Sequence, residues 1–279
     1  MAQNTTYTAN TSSNIWDDVD NAIQMITPHN TPFMSSIGKR KVSNTLVEWL
    51  EDDLTTAQAN AAVEGADASF SEIAQPVRKT NYTQIFQKTF QLSGTMDAVD
   101  LIGRKDEASR LMTKHVKEIA TDMEKALINN ASAVAGNAAT PRELKGLEGF
   151  VTTNDLSYAS YAATNDFNED KVMAMSLAVY NNSDADKHNL LVTPIQANVI
   201  AKWDQNNRIT VNQNADAQKL TMAVMELITP FGAIKVVISR YITTDLDSLV
   251  NYERCYLYAP EKFQVGWLRN LKTTELAKT

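Results

Sequence analysis

Apolar and polar positions along residues 104–135 recur with the period of a long α-helix. The run RKDEASRLMTKHVKEIATDMEKALINNASAVA contains neither Pro nor Gly. Ala108, Leu111, Met112, Val116, Ile119, Ala120, Met123 and Leu127 follow one another in steps that keep them on one stripe. Asp106, Glu107, Arg110, Lys114, Lys117, Glu118, Asp122 and Lys125 fall on the other faces. At about 1.5 Å per residue, a helix over Arg104–Ala135 is roughly 45 Å long, above the usual globular length. A strict heptad fails, because His115, Glu118 and Asp122 occupy positions that a coiled coil keeps apolar. The pattern predicts a girder lying along a sheet of its own subunit, which points to architecture more than to catalysis.

Upstream, residues 1–14 are rich in Thr, Asn and Ser. Ile15, Trp16, Val19, Ile23 and Ile26 give Ile15–Ile26 an apolar side, and Thr27-Pro28 and Thr31-Pro32 mark its end. Such a segment is either an arm that packs outside the main domain or a first helix of the core. Strands are predicted over Val42–Leu54 and Asn81–Ser93. In the second, Tyr82, Phe86, Phe90 and Leu92 alternate with Thr83, Gln87, Thr89 and Gln91. Thr55–Thr80 joins them and carries a turn signal at Gly65. A hairpin with so long a connection is not stable alone. It should lie on another surface, and an adjacent subunit is the simplest candidate.

Downstream of the girder, Gly136 is a candidate helix stop. Residues 141–165 read as a loop anchored by Leu144, Leu147 and Phe150. A helix follows near Asn168–Tyr180, then a strand over Asn189–Val192. Thr193, Pro194 and Gln196 have the spacing of a capping box opening a helix over Ile195–Asp204. Gln205–Gln218 is polar and loop-like. Gly232–Tyr241, Arg254–Tyr258 and Phe263–Leu268 read as strands. This mixture points to an α+β class or a mixed sheet.

Bulk properties narrow the function. The 279 residues suffice for one large or two small domains. No apolar run of about 18 residues is present, so no membrane partner is expected, and the polar N-terminus is not a secretory signal. A net charge of −7 argues against tight phosphate-driven nucleic-acid binding. The single Cys255 cannot form an internal disulfide and reads as a small buried apolar group. His29, His115 and His188 lack partners at metal-ligand spacing. There is no G-x-S-x-G elbow and no phosphate loop at Gly38-Lys39. Glu51 and Asp52 are adjacent on a strand and face opposite ways, so they cannot converge on one bond. Trp16, Trp49, Trp203 and Trp267 are scattered, which suits packing rather than base stacking. No catalytic, cofactor or metal site is expected.

Several motifs nevertheless resemble a known family. Thr31-Pro32-Phe33, Ile37-Gly38-Lys39 and Glu48-Trp49 occur in order. Val63-Glu64-Gly65-Ala66-Asp67-Ala68, Asn81-Tyr82-Thr83-Gln84-Ile85-Phe86 and Ser93-Gly94-Thr95 follow, then Gly103-Arg104-Lys105 and Glu275–Thr279. The ordered set, over roughly residues 15–279, resembles the SU10-like tailed-phage major head proteins, which adopt the HK97 capsid fold.

The resemblance implies an N-terminal arm over residues 1–40 and an extended β-hairpin loop over 41–95. It implies a peripheral domain over 96–149 with the spine helix at 104–135, an axial domain over 150–245, and returning peripheral strands over 246–279. It further implies an icosahedral shell of hexamers and pentamers around double-stranded DNA, in the virion after assembly in the host cytoplasm. Portal, decoration and separate scaffolding proteins are candidate partners. A chain that begins at Met1 and stops at Thr279, short of the pattern's further strand, is expected to use a separate scaffold or none. In this picture Glu48–Asp53, with Glu51 and Asp52, meets Lys39, Arg40, Arg78 or Lys79 of a neighbour. Trp16, Trp49, Glu64, Asp67, Tyr82 and Phe86 complete the candidate contacts. A tube or adhesin module, and an enzyme without a recognisable motif, remain as alternatives.

Overall fold

The computed structural model describes residues 27–65, 67, 70, 73–99, 106–156, 167–185, 187–203, 226–242 and 254–274. The expected segment Ile15–Ile26, with Trp16, and the expected loop Gln205–Gln218 lie outside them. The chain divides into two units, Met1–His29 with Gln87–Ala120 and Asn30–Phe86 with Thr121–Thr279.

The larger unit is built on a four-stranded sheet. Its strands are β4 (His188–Val192), β5 (Glu226–Thr229), β6 (Gly232–Ile238) and β7 (Tyr256–Tyr258), in the order β5-β6-β4-β7. β4 runs parallel to β6 and antiparallel to β7, and every one of its residues is buried. Side chains alternate across a strand, and β4 uses both faces. Leu190 and Val192 pack with Val172, Ile200, Ile234 and Val236. These come partly from two helices, α5 (Glu169–Asn182) and α6 (Pro194–Trp203). Leu191 points the other way, into a cluster with Phe33, Ile37, Ile128, Leu147, Tyr256 and Tyr258. The sheet is thus covered on both faces.

Local chemistry sets the helix starts. The Thr193 N–H donates to Gln196 Oε1 at 3.0 Å, and the Gln196 N–H donates to Thr193 Oγ1 at 3.3 Å, which is the expected capping box. Asn168 caps α5 by accepting from the Lys171 N–H at 3.1 Å. Cys255 is desolvated, and burial pushes its thiol up to about 12. Strand β5 was not foreseen; it turns into β6 through Pro230 and Phe231, with Gly232 at φ +130°.

The girder is α3, Glu107–Asn129, 23 residues and about 35 Å long. It does not reach Ala135, because the chain folds back onto its end. The Gly146 N–H donates to Asn130 O at 2.8 Å. A Cβ at Gly146 would lie 2.6 Å from Ala126 O, and one at Gly149 would lie 2.3 Å from Ala131 O. Gly136, the expected stop, instead takes φ +72° in a later turn closed by the bridge Val134–Glu143. The stripe is only partly buried: Ile119 is covered, but Met112 and Val116 are 39% and 41% exposed. In the larger unit the buried positions are Glu124, Ala126 and Ile128, with Glu124 and Ile128 fully buried.

The smaller unit contains α2 (Gly94–Ala98), capped by Ser93, and the first part of α3. Phe90 stacks on His115 with centroids 5.3 Å apart. His115 Nδ1 lies 2.8 Å from Glu118 Oε2. That hydrogen bond, with the charges of His115, Lys114 and Lys88, holds the Glu118 carboxyl below its ordinary range.

The two expected long strands are shorter and displaced. Val42–Leu54 is interrupted at Ser43–Thr45, where Asn44 Oδ1 accepts from the Thr45 N–H at 2.7 Å. Before the break, β1 (Gly38–Lys41) pairs in parallel with β8 (Gln264–Trp267). After it, β2 (Leu46–Glu51) pairs antiparallel with β3 (Val77–Tyr82), Leu46 opposite Tyr82. Residues 83–93 are not a strand. Their alternation reflects separate anchors, with Gln84 bonded to Leu144 and Phe90 on His115.

Glu124 holds a short helix, α1 (Pro32–Ser36), against α3. Its carboxylate accepts from the Phe33 N–H at 2.7 Å and the Met34 N–H at 2.8 Å. Burial raises its pKa above the ordinary carboxylate value, and these two bonds partly offset that rise. A raised folded-state pKa stabilises the fold fully below pH 4.5, the reference value; that contribution is lost as pH rises through the folded-state value. Glu124→Leu should orphan both donors and cost about 1–3 kcal/mol for each, read by urea unfolding. Glu124→Gln, whose amide nitrogen cannot accept, should keep one of the two bonds, cost about 1–3 kcal/mol for the other, and flatten this part of the pH profile. An unchanged stability in Glu124→Leu would contradict the clamp.

Candidate assembly interface

The hairpin β2–β3 carries the candidate contacts. Its connection, 52–76, is exposed at every described position, and Gly65 turns at φ +81°. Leu54 and Phe70 are 100% exposed, Ile73 91% and Val63 80%. Leu50 and Val77, on the ladder, are also exposed. Burying four such side chains on a partner is worth about 1.5–3 kcal/mol each, before the cost of association.

The charged candidates are arranged differently from expectation. Arg78 pairs with Glu48 at 3.7 Å and Lys79 with Glu51 at 3.9 Å, diagonally across the hairpin of one chain. All four side chains are well exposed, so each pair contributes about 0–1 kcal/mol. Trp49 donates through Nε1 to Glu51 Oε1 at 2.7 Å and tilts over Phe150 at 6.0 Å. Phe150 in turn meets Phe263 and lies under the Lys145 ammonium. Trp49 therefore ties the hairpin root to its own body.

The other candidates are spread out. Asp52, Glu64 and Asp67 are exposed on the connection. Lys39 and Arg40 are exposed on β1, beside Trp267 and Asn270 in a shallow basic depression. Tyr82 and Phe86 are half-buried near the root. The structure brings Trp49, Glu51, Arg78 and Lys79 together and leaves the rest apart. The apolar tip residues Leu54, Val63, Phe70 and Ile73 were missed. Their signal was available: isolated large apolar residues in a polar, Ala-rich stretch that has no room for a core. Among the described residues no group of three or more His, Cys, Asp or Glu could hold a metal ion. No described helix is long and apolar enough to cross a membrane.

Comparisons with solved structures define the class. The chain superposes with TM-score 0.62 on "Capsid of empty GTA particle computed with C5 symmetry", covering 95% of this chain and 85% of that one at 16% identity. It superposes with TM-score 0.53 on the capsid structure of the cyanophage P-SCSP1u, covering 95% and 85% at 12% identity. The fold is that of capsid proteins. The family model for the SU10 major capsid protein matches residues 1–279, and the chain belongs to that family of phage major capsid proteins. The major capsid protein of Escherichia phage Phieco32 is 27% identical, over 92% of this chain and 84% of its own length.

Replacing Arg78 and Lys79 together by Ala removes both cross-strand pairs. The unfolding free energy read from urea titration should fall by no more than about 1 kcal/mol per pair. A larger loss would mean that charge, rather than the ladder and Trp49, holds the hairpin.

Proposed function

We propose that the hairpin with residues 52–76 is the extended loop of an HK97-type subunit, laid over a neighbouring copy in the hexamers and pentamers of an icosahedral head. The observation that carries this reading is the full exposure of Leu54 and Phe70, with Ile73 and Val63 nearly so, on a hairpin with nothing of its own beneath them. Apolar burial supplies most of the affinity, and the charged candidates Lys39, Arg40, Asp52, Glu64 and Asp67 set register. A contact between unlike surfaces that closes as a ring gives capsomers.

We extend the reading to the remaining parts. The arm ends before α1, because Phe33 and Ile37 are buried in the core of the larger unit, and α3 is the spine of the peripheral domain. Residues 150–245 form the axial domain, and 246–279 return to contribute β7 to the sheet of β4 and β8 to β1. The protein is structural rather than enzymatic. Its acidic balance, −7 overall, suits a wall that encloses dense DNA without adhering to it. Assembly takes place in the host cytoplasm with portal and separate scaffolding or decoration proteins as partners, and the product is the virion shell.

Phe70→Ser combined with Ile73→Ser tests the reading. The double variant should keep the circular dichroism and unfolding midpoint of the parent subunit, because neither side chain is buried in it. It should fail to yield shells under conditions in which the parent chain does. Normal particles from the variant would refute the role given to the hairpin.

A further inference from the structure

The hairpin is moored to the body along one strand, and by side-chain amides as well as a ladder bond. Asn81 Nδ2 donates to Lys145 O at 3.0 Å, while Asn81 Oδ1 accepts from the Lys145 N–H at 2.8 Å. A neighbouring strand would satisfy that peptide in the same way; here one carboxamide does it. Gln84 Oε1 accepts from the Leu144 N–H and from Asn130 Nδ2, both at 3.2 Å. Asn130 Nδ2 also reaches Leu144 O at 3.0 Å. Arg142 Nε donates to Thr83 O at 2.7 Å. The receiving segment is fixed in its turn. Gly146 donates to Asn130 O, and no Cβ fits between Gly146 and the end of α3. The other strand is held more lightly. The chain bends at Ser43–Thr45 before β2, and Thr83 N–H to Thr45 O at 2.9 Å is the last bond across the root.

We propose that Asn81, Gln84 and Asn130 form an amide clasp that sets the direction in which the hairpin leaves the body, and so the angle at which copies of this chain meet in a closed shell. The inference rests on the reading of the hairpin as the element shared between subunits. Six paired residues make an arm of about 20 Å at roughly 3.3 Å each, so a tilt of about 10° at the root moves its end by some 3–4 Å. That displacement is enough to mismatch apolar contacts. The residue type matters because a carboxamide donates from its nitrogen and accepts at its oxygen, side by side as a peptide group does. A carboxylate at position 81 cannot donate to Lys145 O and presents lone pairs to it instead.

Asn81→Asp and Gln84→Ala, each in the full chain beside the parent, test the clasp. Both variants should fold; exchange of the Leu144 amide should speed up in Gln84→Ala, which removes its acceptor, whereas Asn81→Asp keeps an acceptor for the Lys145 N–H and loses only the bond to Lys145 O. Electron microscopy should show loss of the single particle diameter, with closed shells of mixed size and open sheets. Shells of one parental diameter from both variants would overturn the proposal. Failure of both variants to fold would also overturn it, because the clasp would then be part of the core; Gln84→Ala, which adds no charge, guards that outcome. If the parent chain forms no shells at all, the shell reading fails first and takes the clasp's role with it.

Discussion

A two-stranded ladder has two faces and no interior. β2 and β3 satisfy each other's backbone along six residue pairs, but the long connection beyond them exposes Leu54, Val63, Phe70 and Ile73 to water. Hydrophobic stabilisation scales with area removed from water, and the described residues of this chain leave those four side chains exposed. The arrangement becomes favourable only when something else supplies the covering surface. In a protein of the capsid family, further copies of the same chain are the natural supply.

The rest of the larger unit is arranged to hold that projection still. β4 is buried on both faces, so the sheet is fixed between two apolar layers. Phe33 sits in one layer, edge-on to Tyr258 at 5.1 Å, and Glu124 ties its backbone to α3. The chain that follows α3 returns across the helix end through Gly146 and Gly149, where a methyl group would collide with carbonyl oxygens. That rigid return is what Asn81 and Gln84 grip. A firm body and an arm gripped at its root suit a subunit that must meet neighbours at a defined angle.

Much of the body was legible in the residues. Thr193 and Gln196 announced their helix because a capping box is a local, sequence-spaced device. The run around Leu190–Val192 announced a buried strand because apolar continuity is itself the signal. The ends of α3 and of the hairpin strands were not legible, because they are decided by distant partners. Asn129 and Asn130 are ordinary helix residues until Tyr241 and Gly146 arrive to bond them. Glu124 drew no reading from the sequence, and only the N-terminal segment that it receives makes it a buried clamp. The ordered family motifs carried information that periodicity lacked; Phe33 and Trp49, conspicuous within them, turn out to anchor the core and the hairpin root. At the candidate interface the charges drew attention, yet two of the basic residues are engaged within their own hairpin. The apolar tip, lacking any periodic pattern, passed unnoticed.

The most direct measurement is the structure of the assembled particle by electron cryo-microscopy, at a resolution that places side chains. The expected result is Leu54, Phe70 and Ile73 buried against an adjacent copy, with the root bonds of Asn81 and Gln84 intact in every subunit. A hairpin folded back onto its own body, or one extending into solvent in a closed shell, would contradict it.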